Sequence, residues 1–339
     1  MTSERIRFQR PSFPAAASIE RYFALSREER WFSNRGPCWW LLRERLTDAT
    51  GCECVPVANA TLGLMVAVAA LRQRAPRNAR QALVPSFAFA ASAQAAVWNG
   101  FEPVFVDVDA LHWHVAPDAL ELALAERAGE IAIVIALSSF GTPPPLEVRH
   151  RWEEACAAAD VPLLVDSAAG FGARAADDRP IGSQGDAEVV SFHAVKPLAV
   201  GEGGAVFTRD PELASEILSL TEFAFDESKA ATRLNGINAK MSELTAAVAL
   251  AALDEFPAAL ETRRGVAQQL LGELPKAFLP QLQHELGTWQ FVPVAAPSAR
   301  IRDEVLAAAD AVEIRTYYSP LHHMPAFAGS QRAGGLGVT

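Results

Sequence analysis

At 339 residues the chain has material for about two domains, and with half of it hydrophobic and a fifth charged it has the balance of a globular protein and not of a disordered one. A net charge of -10 argues against nucleic-acid binding, which depends on lysine and arginine neutralising phosphates, but a local basic pocket for a small anion remains possible. The four cysteines, Cys38, Cys52, Cys54 and Cys156, lack C-x-x-C spacing; with no secretory apolar region near Met1 and no apolar run near the ~20 residues that span a bilayer, cytoplasm is the expected location.

Residues 1 to 45 read as an entry segment, helical over Ser18 to Leu25 and turning at Trp31 to Pro37, and a helix from Trp39 to Asp48 uses both Trp39 and Trp40 for packing. From Glu53 strands and helices alternate: strand Cys54 to Val57, helix Leu62 to Leu71, strand Gln81 to Pro85, helix Ala91 to Trp98, strand Pro103 to Val108. Strand Ile131 to Leu137, helix Leu146 to Ala159, strand Val161 to Val165, strand Glu188 to Phe192 and strand Gly204 to Phe207 continue the pattern. A helix follows Pro211 to Phe223, and Asn238 or Ser242 caps a long alanine-rich helix. From Phe256 the composition shifts to helix Ala258 to Leu274, strand Gln290 to Val294, helix Ile301 to Ala311 and strand Glu313 to Tyr317. This order predicts an α/β fold in three parts. Residues 1–45 pack with the small domain, 46–255 form a large domain with a mostly parallel sheet flanked by helices, and 256–339 form a smaller α+β domain.

Several positions along this order suit chemistry. Asn59-Ala60-Thr61 stands where a strand turns into a helix, a place for a phosphate on free amides, although Asn59 or Thr61 as a plain N-cap accounts for it equally. In Pro85-Ser86-Phe87-Ala88-Phe89-Ala90 an aromatic is positioned to stack on a flat ring or simply to fill the core. Asp166 arrives at the carboxyl end of a strand, where ligand groups collect in open parallel sheets; a carboxylate there can keep a pyridine nitrogen protonated, or cap a turn with Ser167. Lys196 lies in a loop between two apolar runs, where it is either a solvated lysine on a hairpin or a held one whose desolvation would lower its pKa and free the amine as a nucleophile. Gly201-Glu202-Gly203-Gly204 lacks the strand and helix context of a dinucleotide fingerprint and reads as a tight turn. Cys52-Glu53-Cys54, the solvent-facing pair His112 and His114 on one face of a strand, and His322-His323 each lack a third ligand, so no metal is expected.

Asn59-Ala60-Thr61, PSFAFAAS, VDSAAGFGA, SFHAVKPLAVGEGG, NGINAKMSE and TYYSPLHHMP, in that order over nearly the whole chain, resemble the nucleotide-sugar aminotransferases of pyridoxal phosphate fold type I, often called the DegT family. The resemblance implies that Lys196 is the Schiff-base lysine, Asp166 the partner of the pyridinium nitrogen and Phe89 the ring-stacking aromatic. It implies a phosphate cradle of Ala60, Thr61 and Ser191, and an Asn238 that reaches the phosphate of a neighbouring subunit, hence a homodimer with shared sites. His193, Tyr318 and His322 fall where the sugar nucleotide is approached. The departures are Ala60 for the usual glycine, Ala169 for a usual glutamine or histidine, His193 for tyrosine or phenylalanine, and Lys240 for arginine. The sequence stops at Thr339, before the family's closing strand and helix, so a truncated or reduced small domain is expected.

The activity so implied is a ping-pong transamination from an amino acid, glutamate being the expected donor, to a keto sugar on a nucleoside diphosphate, for amino-sugar biosynthesis, with Lys196 as general base and acid. Two alternatives are weighed: a sugar dehydratase or deoxygenase on the same fold, against which Lys196 speaks because such relatives carry histidine there, and a non-catalytic regulatory protein, suggested by Ala169 and the early end.

Overall fold

Runs of Val, Ile and Leu bounded by turn residues make strands that are buried on both faces, as in a sheet covered by helices on each side. The computed structural model describes residues 5–339. Its elements are α1 Ala16–Glu28, α2 Pro37–Thr50, β1 Glu53–Val57, α3 Ala60–Leu71, β2 Gln81–Pro85, α4 Ala90–Trp98, β3 Glu102–Val106, α5 Pro117–Glu126, β4 Ile131–Leu137 and α6 Leu146–Ala158. There follow β5 Leu163–Asp166, β6 Ala187–Ser191, β7 Gly204–Thr208, α7 Pro211–Leu220, α8 Glu243–Glu273, β8 Leu279–Pro280, β9 Val294–Ala295, α9 Ala299–Ala308 and β10 Gln331–Arg332.

One large sheet has the order β1-β7-β6-β5-β4-β2-β3-β10. From β6 to β10 the neighbours are parallel, while β7 runs antiparallel to both β6 and β1. Alternation divides the core by face: Val84, Phe105, Ile133, Ile135 and Leu164 pack on one side with α2, α3, α4 and α7. Leu83, Val104, Val106, Val134 and Leu163 pack on the other with α5 and α6. The buried carboxylate of Glu243 ties the N-terminal helices to this frame, accepting from the amides of Cys38 (2.7 Å) and Trp39 (3.1 Å) at the start of α2. Those free helix-end donors and the dipole favour an anion there.

The structure departs from the sequence reading at several points. The sequence pattern names no element between Val108 and Ile131, and α5 fills that interval. Helices expected to break near Phe256 are one, α8, which continues through Pro257 although proline cannot donate to the carbonyl four residues back. The first turns of α8 are buried against the sheet's helices and its later turns are mostly exposed, and this change of surroundings is what the composition shift registered. Glu313 to Tyr317 is extended but not a strand, since its neighbour pairs only at the isolated bridge Ile6–Val312. The strand expected over Gln290 to Val294 shrinks to Val294–Ala295. Residues 331–332, near the end of the chain, form β10 on the edge of the large sheet beside β3. Trp39 is buried with its indole N–H on the Pro56 carbonyl (3.2 Å), whereas Trp40 stays half-exposed. His112 and His114 lie in a turn and not on a strand: Trp113 between them is left-handed (φ 60°), and His114 is fully buried. Burial pushes the His114 imidazole down to about 4 despite its bond to the Leu137 carbonyl (3.1 Å).

Candidate active site

Sheet register brings the candidate residues to one rim. Val57 is opposite Gly204 and Gly204 opposite Ser191, while Asp166 is opposite both Val189 and Leu137, so carboxyl ends of β1, β4, β5 and β6 meet there. Lys196 is held in the β6–β7 connection, whose backbone closes on itself through Phe192 N–H to Gly203 O (2.9 Å), Ala194 N–H to Gly201 O (2.8 Å) and Lys196 N–H to His193 O (2.8 Å). Gly201 supplies the left-handed turn (φ 95°), and buried Pro197 and Leu198 anchor the loop. The Lys196 ammonium donates to Gln290 Oε1 at 3.2 Å. Burial lowers the lysine's pKa and the charge of Asp166 acts against that shift, so the two groups are close enough for their charges to interact.

Asp166 is 2% exposed. Its carboxylate accepts from Ser92 Oγ (2.6 Å) and Ala168 N–H (3.1 Å). Burial pushes its pKa up; the Ser92 bond, the Ala168 bond and the Lys196 charge offset part of the shift. Behind it lies a second polar layer, in which Ser167 donates to Glu188 and Glu188 also accepts from Gly182 N–H (2.6 Å), Gln184 N–H (3.1 Å) and the Gln184 side chain (2.8 Å). Burial raises the Glu188 carboxyl to about 7.

At the β1–α3 turn Asn59 is the N-cap, its side chain accepting from Leu62 N–H (2.9 Å), so the capping role belongs to Asn59. That leaves the amides of Ala60 and Thr61 without an acceptor among the described residues, at the positive end of α3. Gly204 abuts them: a Cβ there would stand 2.9 Å from Ala60 N and 2.7 Å from the Val190 carbonyl. The Ser191 hydroxyl accepts from His193 N–H (3.2 Å), which leaves its proton available to a ligand. Asn238 is exposed beside this turn, where Ala58 N–H bonds the Ala239 carbonyl (2.8 Å).

An aromatic strap closes the other side. Phe89, at the N-terminus of α4 and 50% exposed, lies 5.1 Å from Tyr318. Tyr317 is 4.5 Å from Phe140 and 5.5 Å from Phe87. Burial pushes the Tyr317 phenol well above its ordinary range, and Tyr318 and Asp166 add to this, so the phenol lies within electrostatic range of the carboxylate. His322 turns inward, 7% exposed, with Nδ1 hydrogen-bonded to Ser86 Oγ. His193 faces outward, its Nε2 3.6 Å from Glu202. Thus Lys196, Asp166, Ser191, Ala60 and Thr61 line one rim, Phe89 and Tyr318 pair in the aromatic strap, and His193 and His322 lie at the periphery.

Sequence reasoning missed Ser92, Gln290 and Tyr317. Ser92 had one signal, a lone hydroxyl among the alanines of α4. Gln290 had none, because it reaches Lys196 from 94 positions away. The residues fit pyridoxal phosphate: two unoccupied amides at a helix start suit a phosphate, and a buried carboxylate without a full counter-charge suits a protonated ring nitrogen.

The sequence profile of the DegT/DnrJ/EryC1/StrS aminotransferase family matches residues 16–337. Protein Rv3402c of Mycobacterium tuberculosis is 34% identical over 328 residues, covering 95% of this chain and 78% of that protein. The dTDP-4-amino-4,6-dideoxy-D-glucose transaminase of Shigella dysenteriae is 28% identical over 256 residues, 75% of this chain and 66% of that enzyme. The crystal structure of DesI in the presence of its TDP-sugar product superposes with a TM-score of 0.85 at 31% identity, over 99% of this chain and 85% of that one. The expected architecture, a large mostly parallel sheet flanked by helices, is therefore that of fold type I.

Proposed function

We propose that this chain, which belongs to the DegT/DnrJ/EryC1/StrS aminotransferase family, moves an amino group from an amino acid, glutamate being the proposed donor, to a keto sugar carried on a nucleoside diphosphate. The observation that carries the reading is a desolvated Lys196 amine and a buried Asp166 carboxylate within electrostatic range at one end of the sheet, where the α3 start leaves two amides free. The sugar nucleotide comes from the names of relatives, a dTDP-amino-sugar transaminase and a TDP-sugar complex among them.

When bound, pyridoxal phosphate supplies an aldehyde that captures amines and a ring that takes up electrons. Ala60 and Thr61 amides, the Thr61 hydroxyl and the Ser191 hydroxyl would hold its phosphate, Asp166 would keep the ring nitrogen protonated, and Phe89 would cover the ring. Because burial lowers its pKa, Lys196 Nζ presents more neutral amine near neutral pH than a solvated lysine does. It takes the proton from the amino-bearing carbon of the donor and returns one to the carbonyl carbon of the acceptor. Ser92 and Ala168 N–H keep Asp166 oriented and ionised, and the strap of Tyr317 and Tyr318 shields the reacting atoms from water.

Asn238 is proposed to reach the phosphate of a second copy, which makes the protein a homodimer. In support, Leu234 is fully exposed and Phe223 and Phe225 stay substantially exposed on the neighbouring loop, apolar surface that a partner would cover. Among the described residues no helix is long and apolar enough to cross a membrane. The test is spectroscopic: adding glutamate to the loaded protein bleaches the lysine-bound cofactor band, and a keto sugar nucleotide restores it. A band that no amino acid changes would overturn the proposal.

A further inference from the structure

The extended N-terminal segment and residues 313–315 border an open cavity of about 510 Å³ lined by Arg5, Arg7, Gln9, Glu313 and Arg315. On a chain of net charge -10 this is a concentration of three arginines against one glutamate. Glu313 does not neutralise it evenly. One carboxylate oxygen holds Arg315 (2.8 Å to Nε) and the other accepts from Phe8 N–H (3.1 Å), and these two contacts keep the carboxyl below its ordinary range. Arg5 donates to the Ala309 carbonyl (2.9 Å), and Arg7 has no ion-pair partner among the described residues. Glu313 thus pins the N-terminal segment and orients Arg315, and among the described residues the guanidinium groups of Arg5 and Arg7 have no carboxylate partner.

The cavity also has a defined relation to the reacting amine. Phe8 stacks on Phe291 (4.9 Å between centroids, 11° between planes), and Gln290, the residue before Phe291, accepts from Lys196 at 3.2 Å. Arg315 lies 5.2 Å over the Phe8 ring and precedes by two positions Tyr317, whose phenol is within electrostatic range of Asp166. Contacts through Phe8, Phe291 and Gln290 thus connect the arginine-lined cavity to Lys196. We infer that this cavity seats the diphosphate of the acceptor, an inference that rests on the nucleotide-sugar reading above. The carboxylate of an amino-acid donor is attached to the same carbon as the amine that must reach Lys196, so it stays beside that lysine. The diphosphate of a sugar nucleotide lies a whole sugar ring from its carbonyl, and guanidinium groups match phosphate oxygens in pairs.

The experiment is calorimetric titration of the cofactor-loaded protein with uridine diphosphate and with thymidine diphosphate, neither carrying a sugar. Wild type is expected to bind at least one of them, Arg7→Ala to bind it about tenfold more weakly, and Arg5→Ala with Arg7→Ala about a hundredfold, at roughly a factor of ten per charge-assisted contact. The doubly conservative Arg5→Lys with Arg7→Lys should fall between wild type and the double alanine, since charge survives without paired geometry. Cofactor absorbance and unfolding midpoint, followed in each variant, separate lost binding from lost fold. A double alanine variant that binds as wild type overturns the site, as does an equal loss in Arg151→Ala, whose side chain is outside the cavity lining and pairs with Asp118 and Glu121 of α5. If wild type binds neither diphosphate and aminates a free keto sugar, the function reading falls and this site with it. If wild type aminates the sugar nucleotide but the double variant binds diphosphate unchanged, this site alone falls.

Discussion

The sheet rim and the strap facing it are built in opposite ways. On the rim, Asp166, Ser191, Gly204 and Lys196 are positioned by strand register and by backbone bonds within a few residues of each. The strap, from Thr288 to Phe291 and from Glu313 to His322, has almost no regular structure and is held by aromatic contacts, by Thr288 Oγ1 on the Ala169 carbonyl (2.6 Å) and by His322 on Ser86. A rim of this kind holds its groups in one geometry, as proton transfer requires; contacts between rings are worth only about 0.5–1.5 kcal/mol each and can be exchanged to suit different substrates. The cofactor side of the site is thus the stiff side and the substrate side the adaptable one.

The sharpest test of that contrast is Lys196→Ala, which should lower kcat by roughly 10³- to 10⁴-fold, with loss of the lysine-bound cofactor band. Asp166→Asn keeps the shape and most hydrogen bonds but removes the charge, and kcat should fall by roughly 10²- to 10³-fold in steady-state assays while the phosphate stays bound. A loss under tenfold would mean that the rim does not need its carboxylate.

Stability tests probe the rim from beneath. Free His114 titrates near 6.5 and buried His114 near 4, so its contribution is fully present above about 6.5 and is lost as pH falls through 4. Wild type should therefore lose most of about 3.5 kcal/mol relative to His114→Phe between pH 6.5 and pH 4 in denaturant titrations, from a shift of 2.5 units at about 1.4 kcal/mol each. Glu188, raised to about 7, works with the opposite sign, its contribution present below the ordinary carboxyl pKa and lost as pH rises through 7. Taking the difference between wild type and variant at each pH isolates the histidine. Gly204→Ala puts a methyl 2.7 Å from the Val190 carbonyl and should cost roughly 1–3 kcal/mol in the same titration. The smallest effect belongs to the strap: Tyr318→Ala, losing its contact with Phe89, should raise the acceptor KM between roughly two- and tenfold and leave kcat nearly unchanged. A large kcat loss there would erase the distinction between the two sides.

How much of this was legible in the sequence follows the same division. Strands Gln81–Pro85 and Ile131–Leu137 carry their bounds on their face, because an apolar run between turn residues has few other places to go in a sheet covered on both sides. Asp166 and Lys196 were readable because each sits at the end of such a run. His114 was misjudged as solvent-facing, since alternation in His112-Trp113-His114 imitates a strand while the Asp109 carboxylate gathers the backbone N–H groups of Leu111 (3.0 Å) and His112 (2.6 Å) into a turn. The continuity of α8 through Pro257 was likewise hidden, as packing along the helix outweighed one missing hydrogen bond.

By itself, the sequence determined the order of elements, the apolar faces of the sheet and which residues end its strands, because these depend on spacing of two or four residues along the chain. Only the tertiary structure decided that Gln290 meets Lys196, that Tyr317 packs on Phe87 and Phe140, and that Arg5, Arg7 and Arg315 share one cavity. Such meetings between distant segments leave no periodic trace: they arise from the way packed elements bring chain ends and loops together, and no local propensity encodes that.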